Sequence, residues 1–318
     1  MNNDVEVETI ELWMEWPPQE VSVHLIEAED TALVDAGVGT EDGKTEVLDA
    51  LASRDVSRED VDHVLVTHPH VDHVGAATEF PEATVYAHED VADYLVLDDS
   101  VRDEMQVMMR EAGLKGSYLD GAYEESVAAL EANIDCLPPD SVDVPLSDGD
   151  SVDVGGFELK AIHTPGHQRY HHCYRSEGEH PVFFAGDAVA RSFRSVTYGV
   201  GFREGMYDAV ANYYDAFETL SEQDVEVVYP GHGPVFDDLP SAVERGVDSL
   251  DRLVEGVREA VDDLGEATAV DVALHRAEEP EDVRHLLFDN IGALGYLERE
   301  GDVESEVVEG SRRFSPAE

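Results

Sequence analysis

Lysine is nearly missing from this sequence. Lys44, Lys115 and Lys160 are the only three, and with arginine they make 20 basic residues against 73 acidic ones. The formal net charge is −53. So few cations disfavour a broad nucleic-acid surface, because phosphate contacts need clustered Lys and Arg. The one short basic cluster is Arg312–Arg313. Cysteine is also scarce. Cys136 and Cys173 cannot form a disulfide framework and are expected as reduced thiols, with a single bridge between them as the alternative. No run of about eighteen apolar residues exists, so no membrane-spanning helix is expected. The first residues, MNNDVEVETI, lack the basic and apolar regions of a signal peptide. The expected location is the cytoplasm.

What is present argues for a folded chain. High charge with low hydrophobicity can mean disorder, but here apolar residues reach 42% and keep their periodicity between the acids. The acid excess therefore reads as the surface of a protein from a salt-rich cytoplasm. At about 1 M salt the Debye length is about 3 Å, so self-repulsion costs little. A halophilic source is the expectation.

Short β-branched runs recur along the first three-quarters of the chain. VSVHLIEAE (21–29), TALVDAG (31–37), HVLVT (63–67), ATVYAHE (83–89), FELKAIHT (157–164), PVFFAGD (181–187) and VEVVYPG (225–231) all read as strands. Val47 to Ala52 fits a short helix, and Ser57 reads as the N-cap of another. Residues 91–145 interrupt the strands with helical patterns. Met105, Met108 and Met109 there suit a helical cover with its methionines in a core, or alternatively an adaptable lid over a substrate. From residue 239 three amphipathic helices precede a hairpin around Glu309–Gly310. The expected division is 1–238 and 239–318, the latter a helical, winged-helix-like appendage. Its third helix is rich in Glu and Asp, which favours packing, a lid or dimerisation over DNA binding.

Ionisable side chains gather where the strands end. VTHPHVDH carries His68, His70, Asp72 and His73. On an extended turn His68 and His70 point the same way. Asp72 and His73 are expected to project from the first turn of a helix beginning near Val74. Imidazole and carboxylate are the donors that zinc and similar metals prefer, and two pairs facing two directions suggest two metals. Completing two sites needs donors from other loops. His167 in HTPGHQ, Asp187 in FAGDA and His232 in YPGHGP supply them, each after a strand and each beside a glycine.

The ordered set THPHVDH, TPGH, GD and GHG resembles the metallo-β-lactamase-fold hydrolase superfamily over roughly residues 20–238. The resemblance implies an α/β fold, an αββα sandwich of two mixed sheets with helices outside. It also implies a binuclear metal centre at one edge. His68, His70 and His167 would hold the first metal, Asp72, His73 and His232 the second, and Asp187 would bridge both. VDAG at 34–37 matches a further motif, in which Asp35 supports the ligands without binding metal. Two divalent ions, expected as Zn²⁺ with Fe or Mn also compatible, would generate a bridging hydroxide for attack on an electrophilic carbon or phosphorus. Asp72 would orient that hydroxide while ligating.

HTPGHQRYHH resembles the thioester hydrolases of the family, including hydroxyacylglutathione hydrolases, although their glutathione-binding residues have no match here. The leading expectation is a hydrolase acting on a small thioester, lactone or related ester. The alternatives are an RNA- or phosphodiester-cleaving enzyme of the same fold and a non-catalytic metal-binding regulatory protein. A small-molecule substrate is expected, with no membrane partner, and homo-oligomerisation is left open. His163, Thr164 and Pro165 are read as shaping the loop that presents His167. His171 is given a supporting role, and His24, His63 and His88 are read as strand or loop residues, His24 half-buried. Arg169 and Tyr170 flank the site without a spacing rule to support contact.

Overall fold

The computed structural model describes residues 5–279 and 282–317. In chain order the elements are β1 (Glu6–Trp13), β2 (Glu20–Glu27), β3 (Thr31–Val34), α1 (Glu41–Ala52), β4 (His63–Leu65), β5 (Thr84–His88), α2 (Val91–Tyr94), α3 (Asp99–Glu111), α4 (Gly116–Cys136) and β6 (Val144–Leu146). There follow β7 (Ser151–Val154), β8 (Phe157–His163), β9 (His172–Ser176), β10 (Val182–Gly186), α5 (Ala209–Ser221), β11 (Val227–Pro230), α6 (Leu239–Leu264), α7 (Ala269–Arg276), α8 (Asp282–Glu300), β12 (Val303–Val308) and β13 (Ser311–Pro316).

The strands make a six-stranded sheet, β1-β2-β3-β4-β5-β6, and a five-stranded sheet, β11-β10-β9-β8-β7. Side chains alternate across a strand, and here the alternation sorts them into layers. Ala32, Val34 and Leu65 of the first sheet meet Leu159, Ala161, Tyr174 and Phe184 of the second in the core between them. Their chain neighbours point outward. Leu33 and Val64 pack with Val47 and Leu51 of α1, Met105 of α3 and Leu130 of α4. Ile162, Cys173 and Phe183 pack with α5 and the C-terminal helices. This is an αββα sandwich. Both faces of each sheet are covered, which is why the central strands read as near-continuous apolar runs.

The C-terminal helices continue the outer layer of the second sheet. Leu250 and Val257 of α6, Val272 of α7, Ile291 and Leu294 of α8, and Phe314 of the β12–β13 hairpin share one core with Val210, Tyr213 and Phe217 of α5. α6 begins where the Asp238 side chain accepts from the Ser241 amide and ends at Gly265, φ 74°. α7 opens with a reciprocal Thr268–Asp271 capping box. Arg312 and Arg313 are paired with Glu111, Glu298 and Glu266.

Three local expectations, at Ser57, Val74 and His24, are corrected. Ser57 caps no helix: its amide and hydroxyl both donate to the Asp60 carboxylate in a turn. No helix starts at Val74; the chain makes tight turns and then a short 3₁₀ segment, Ala77–Glu79. His24 is fully buried rather than half-buried. It lies on the inner face of β2, and its Nε2 bonds to the Pro230 carbonyl of the opposite sheet at 3.0 Å. Met105 and Met109 are core residues. Cys136 and Cys173 are both free and belong to the cores on opposite outer sides of the sandwich. Among the described residues no helix is long and apolar enough to cross a membrane.

Strand direction positions the site. β3, β4 and β5 are parallel, so the loops after β3 and β4 emerge at the same edge. In the second sheet β8, β10 and β11 run the same way, since β9 is antiparallel to both neighbours and β10 is parallel to β11. Their following loops carry His167, Asp187 and His232.

Candidate metal centre

The loops bring the predicted side chains together in three overlapping groups. His68, His70 and His167 form one, Asp72, His73 and His232 another, and His68, His73 and Asp187 lie between them. Within each group the donor atoms all fall within 4.8 Å of one another. His68 Nε2 and His167 Nε2 lie 3.0 and 3.1 Å from His70 Nδ1. Asp187 is central. Its Oδ2 is 3.3 Å from His167 Nε2 and 3.4 Å from His232 Nε2, and its Oδ1 is 3.6 Å from His73 Nε2. Asp72 Oδ2 is 3.7 Å from His232 Nε2.

The tight turn, not a helix, aims the first cluster. The amides of His73 and Val74 both donate to the His70 carbonyl. This folds the segment back on itself within three residues and brings the His73 ring to 4.1 Å from that of His68. Glycine permits the close approach elsewhere. A Cβ on Gly231 would sit 2.6 Å from Asp187 Oδ1 and 2.7 Å from His73 Cε1. Gly186 has φ +46°, and a Cβ there would lie 2.5 Å from His171 Nε2.

An outer ring of acceptors orients the imidazoles. Asp35, buried and at φ 62°, accepts from the Thr67 amide at 2.8 Å, the Thr67 hydroxyl at 2.9 Å and His73 Nδ1–H at 2.8 Å. Thr67 Oγ1 lies 3.0 Å from His68 Nδ1. His167 Nδ1–H donates to the Val196 carbonyl at 2.8 Å, and His232 Nδ1–H to the Glu20 carbonyl at 2.5 Å. With Nδ1 so engaged, the Nε2 lone pairs of these four rings are left facing inward. His70 is the exception and presents Nδ1. His171 takes the supporting role expected of it: its Nε2 accepts the Asp187 amide and its Nδ1 bonds to Thr164. His163 Nε2 bonds to the Arg169 carbonyl, so it does shape the His167 loop.

The electrostatics suit cations. Burial, and then the neighbouring imidazoles, push His68 far below the usual histidine range and His70 down to about 3. Burial lowers His167 too. Burial alone would also lower His73, but Asp187, Asp35 and Asp72 outweigh it and raise that ring to about 10. Burial would raise Asp187, and His232, His73 and His167 instead hold its carboxyl well below the usual carboxylate range. His73 Nε2 and Asp187 Oδ1 are buried without a hydrogen-bond partner. Orphaned donors of this kind, beside neutral imidazoles packed nitrogen to nitrogen, fit bound divalent metal.

Three features carried no sequence signal. The Val196 carbonyl, which anchors His167, is a backbone group. Tyr198 borders the site, its ring 5.6 Å from His70 and 6.0 Å from His167. His88, His163 and His172 form a second ring cluster, with both nitrogens of buried His172 unpartnered. Arg169 and Tyr170 line an open depression of about 260 Å³ with His88 and His163, outside the metal-donor groups.

Known proteins resemble this chain in sequence and in fold. The sequence model of the Metallo-beta-lactamase superfamily matches residues 16–232. A lactamase-like protein from Aspergillus fumigatus is 24% identical over 225 residues, 71% of this chain and 51% of that protein. An atrochrysone carboxyl ACP thioesterase from Passalora fulva is 26% identical over 210 residues, 65% of this chain and 46% of that protein. The chain thus spans about half the length of these two relatives. Among solved structures, a metallo-beta-lactamase family protein from Thermus thermophilus superposes with a TM-score of 0.79 at 22% identity, covering 98% of both chains.

Proposed function

Because the chain belongs to the metallo-beta-lactamase superfamily, we propose that it is a hydrolase that cleaves a small thioester, lactone or related ester with two divalent ions, zinc in the first instance. The observation that carries this is Asp187. One carboxylate lies within 3.3–3.6 Å of imidazole nitrogens from both proposed ligand sets. His68, His70 and His167 would hold one ion, Asp72, His73 and His232 the other, and Asp187 would be shared. When bound, two such ions lower the pKa of a shared water to about 7 and polarise the carbonyl under attack.

The chain's own groups do the rest. Asp187, close to imidazoles of both sets, would supply negative charge to offset the repulsion between two bound cations. Asp72 is only partly buried, and its carboxylate would accept a hydrogen bond from the attacking water and orient it. The Asp35, Thr67, Val196 and Glu20 acceptors fix the tautomers, so that no ring need reorganise during the reaction. The thioester class is supported by the HTPGHQRYHH motif and by the name of the Passalora fulva relative. The chain acts in a salt-rich cytoplasm on a small molecule, and its charge disfavours nucleic acid. The test is protein purified in high salt, assayed for metal content and screened in parallel on thioester, lactone and bis-aryl phosphodiester substrates. Thioester or lactone turnover that chelation abolishes supports the reading. Phosphodiester turnover without ester turnover overturns it.

A further inference from the structure

His167 differs from the other orienting histidines in what holds its anchor. Asp35 directly follows β3, and the Glu20 carbonyl belongs to the first residue of β2. The Val196 carbonyl lies in an irregular segment between β10 and α5. Backbone bonds tie its far end to the His167 segment, with the Gly199 amide donating to the His167 carbonyl at 3.0 Å and the Arg169 amide to the Gly199 carbonyl at 2.9 Å, and the Tyr198 amide donates to the Val196 carbonyl at 3.1 Å. Residues 194–197 themselves belong to no strand, so side chains must hold them. The side chain that holds them comes from far along the chain. Asp289 of α8 accepts from Arg194 Nη2 at 2.9 Å and Nη1 at 3.3 Å, from the Thr197 amide at 2.9 Å and from the Thr197 hydroxyl at 2.6 Å. One carboxylate therefore grips both sides of Val196. The pair is well shielded, with Arg194 7% and Asp289 13% exposed, and Arg194 also donates to the Ser195 carbonyl at 2.7 Å. Phe288, the neighbour of Asp289, packs on Tyr198 at 4.8 Å and on Phe202 at 4.7 Å, reinforcing the same loop.

We propose that Asp289 is a positioning residue for the metal centre. By clamping Arg194 and Thr197 it aims the Val196 carbonyl at His167 Nδ1, and so keeps His167 Nε2 directed at the first metal. The C-terminal helix then sets how tightly the first metal is held, without touching it. A bidentate guanidinium–carboxylate pair suits this task because its geometry is directional. The inference rests on the reading of His167 as a ligand.

The test titrates zinc into chelator-stripped protein with a competing chromophoric chelator, and records the cobalt absorption spectrum in parallel. The variants are Asp289→Asn, Thr197→Val, His167→Ala and, as a control for destabilisation alone, Leu294→Ala in the buried face of α8. Asp289→Asn should weaken one zinc equivalent by about tenfold, the size typical of groups that orient ligands. Thr197→Val should shift the same equivalent less. Both should alter the cobalt bands that His167→Ala abolishes. Leu294→Ala should lower the melting temperature and leave both affinities unchanged. If Asp289→Asn fails to fold, Thr197→Val decides. The proposal is overturned if the clamp variants keep both affinities while His167→Ala loses one, or if Leu294→Ala weakens zinc equally. Retention of both zinc ions by His167→Ala would overturn the ligand reading, and the proposal with it.

Discussion

Replacing Asp35 by asparagine should detach the second metal by changing a tautomer. The carboxylate accepts every hydrogen bond it makes: the Thr67 amide at Oδ1, and the Thr67 hydroxyl and His73 Nδ1–H at Oδ2. Asparagine has one acceptor oxygen and one donor nitrogen. With its oxygen at the Oδ2 position, its NH₂ would face the Thr67 amide, donor against donor. With its oxygen at Oδ1, the NH₂ faces His73 Nδ1, which must then accept. The His73 proton moves to Nε2, the atom 3.6 Å from Asp187 Oδ1, and that atom can no longer bind metal. Backbone strain does not change, because asparagine tolerates the left-handed conformation that Asp35 occupies at φ 62°. Groups that orient ligands typically contribute about 10–100-fold in metal affinity, or about 1.4–2.7 kcal/mol. The lost charge-assisted bond should lower folding stability by about 1.5–3 kcal/mol. Zinc affinity by chelator competition and urea melts of stripped protein measure the two effects. Two zinc ions held at wild-type affinity would refute the tautomer argument.

Other perturbations test neighbouring links. Asp187→Ala should lose most second-metal occupancy, read by metal analysis after gel filtration; two full equivalents would refute the bridge. Gly231→Ala should lower both metal content and melting temperature, because its methyl would lie 2.6 Å from Asp187 Oδ1. His24 is held by burial at about 4 against an ordinary 6.5, so the unfolded chain binds the extra proton. Its contribution is complete above about pH 6.5 and falls by up to about 3 kcal/mol as pH drops to about 4. His24→Gln should flatten the pH–stability curve in that window, and an unchanged slope would count against it. With a net charge of −53, melting temperature should rise steeply from low to molar salt; full stability in dilute buffer would remove the salt-adaptation argument.

Much of the site was legible because its donors are local to short motifs. Six residues hold His68, His70, Asp72 and His73, and the remaining donors each follow an apolar run and adjoin a glycine. The sandwich was legible for a related reason. Strands buried on both faces leave continuous β-branched runs, and amphipathic helices leave spaced ones. The local errors have physical causes. Ser57 and the acids after it satisfy one another in a turn, so the capping signal starts nothing. After Val74 the next two amides leave the local chain, Gly75 donating to the Gly37 carbonyl and Ala76 to the Ala36 carbonyl, so the loop after β3 takes up the donors that would have carried a helix on. His24 is polar yet fully buried because the opposite sheet supplies a carbonyl for it.

By itself, then, the sequence determined which chemical groups are available: imidazoles and carboxylates in a fixed order, glycines where backbones must approach, and a surface of acids. Those are properties of residue type and short spacing. Only the tertiary structure decided which groups meet. Asp187 reaches donors of both groups because β8, β10 and β11 run the same way and release their loops at one edge. His167 is anchored by the Val196 carbonyl, and the next residue, Thr197, is bound by Asp289 from across 92 residues of chain. A carbonyl is the same at every position, and a carboxylate among 73 carries no mark of its partner. Such contacts exist only once packing has brought distant segments together.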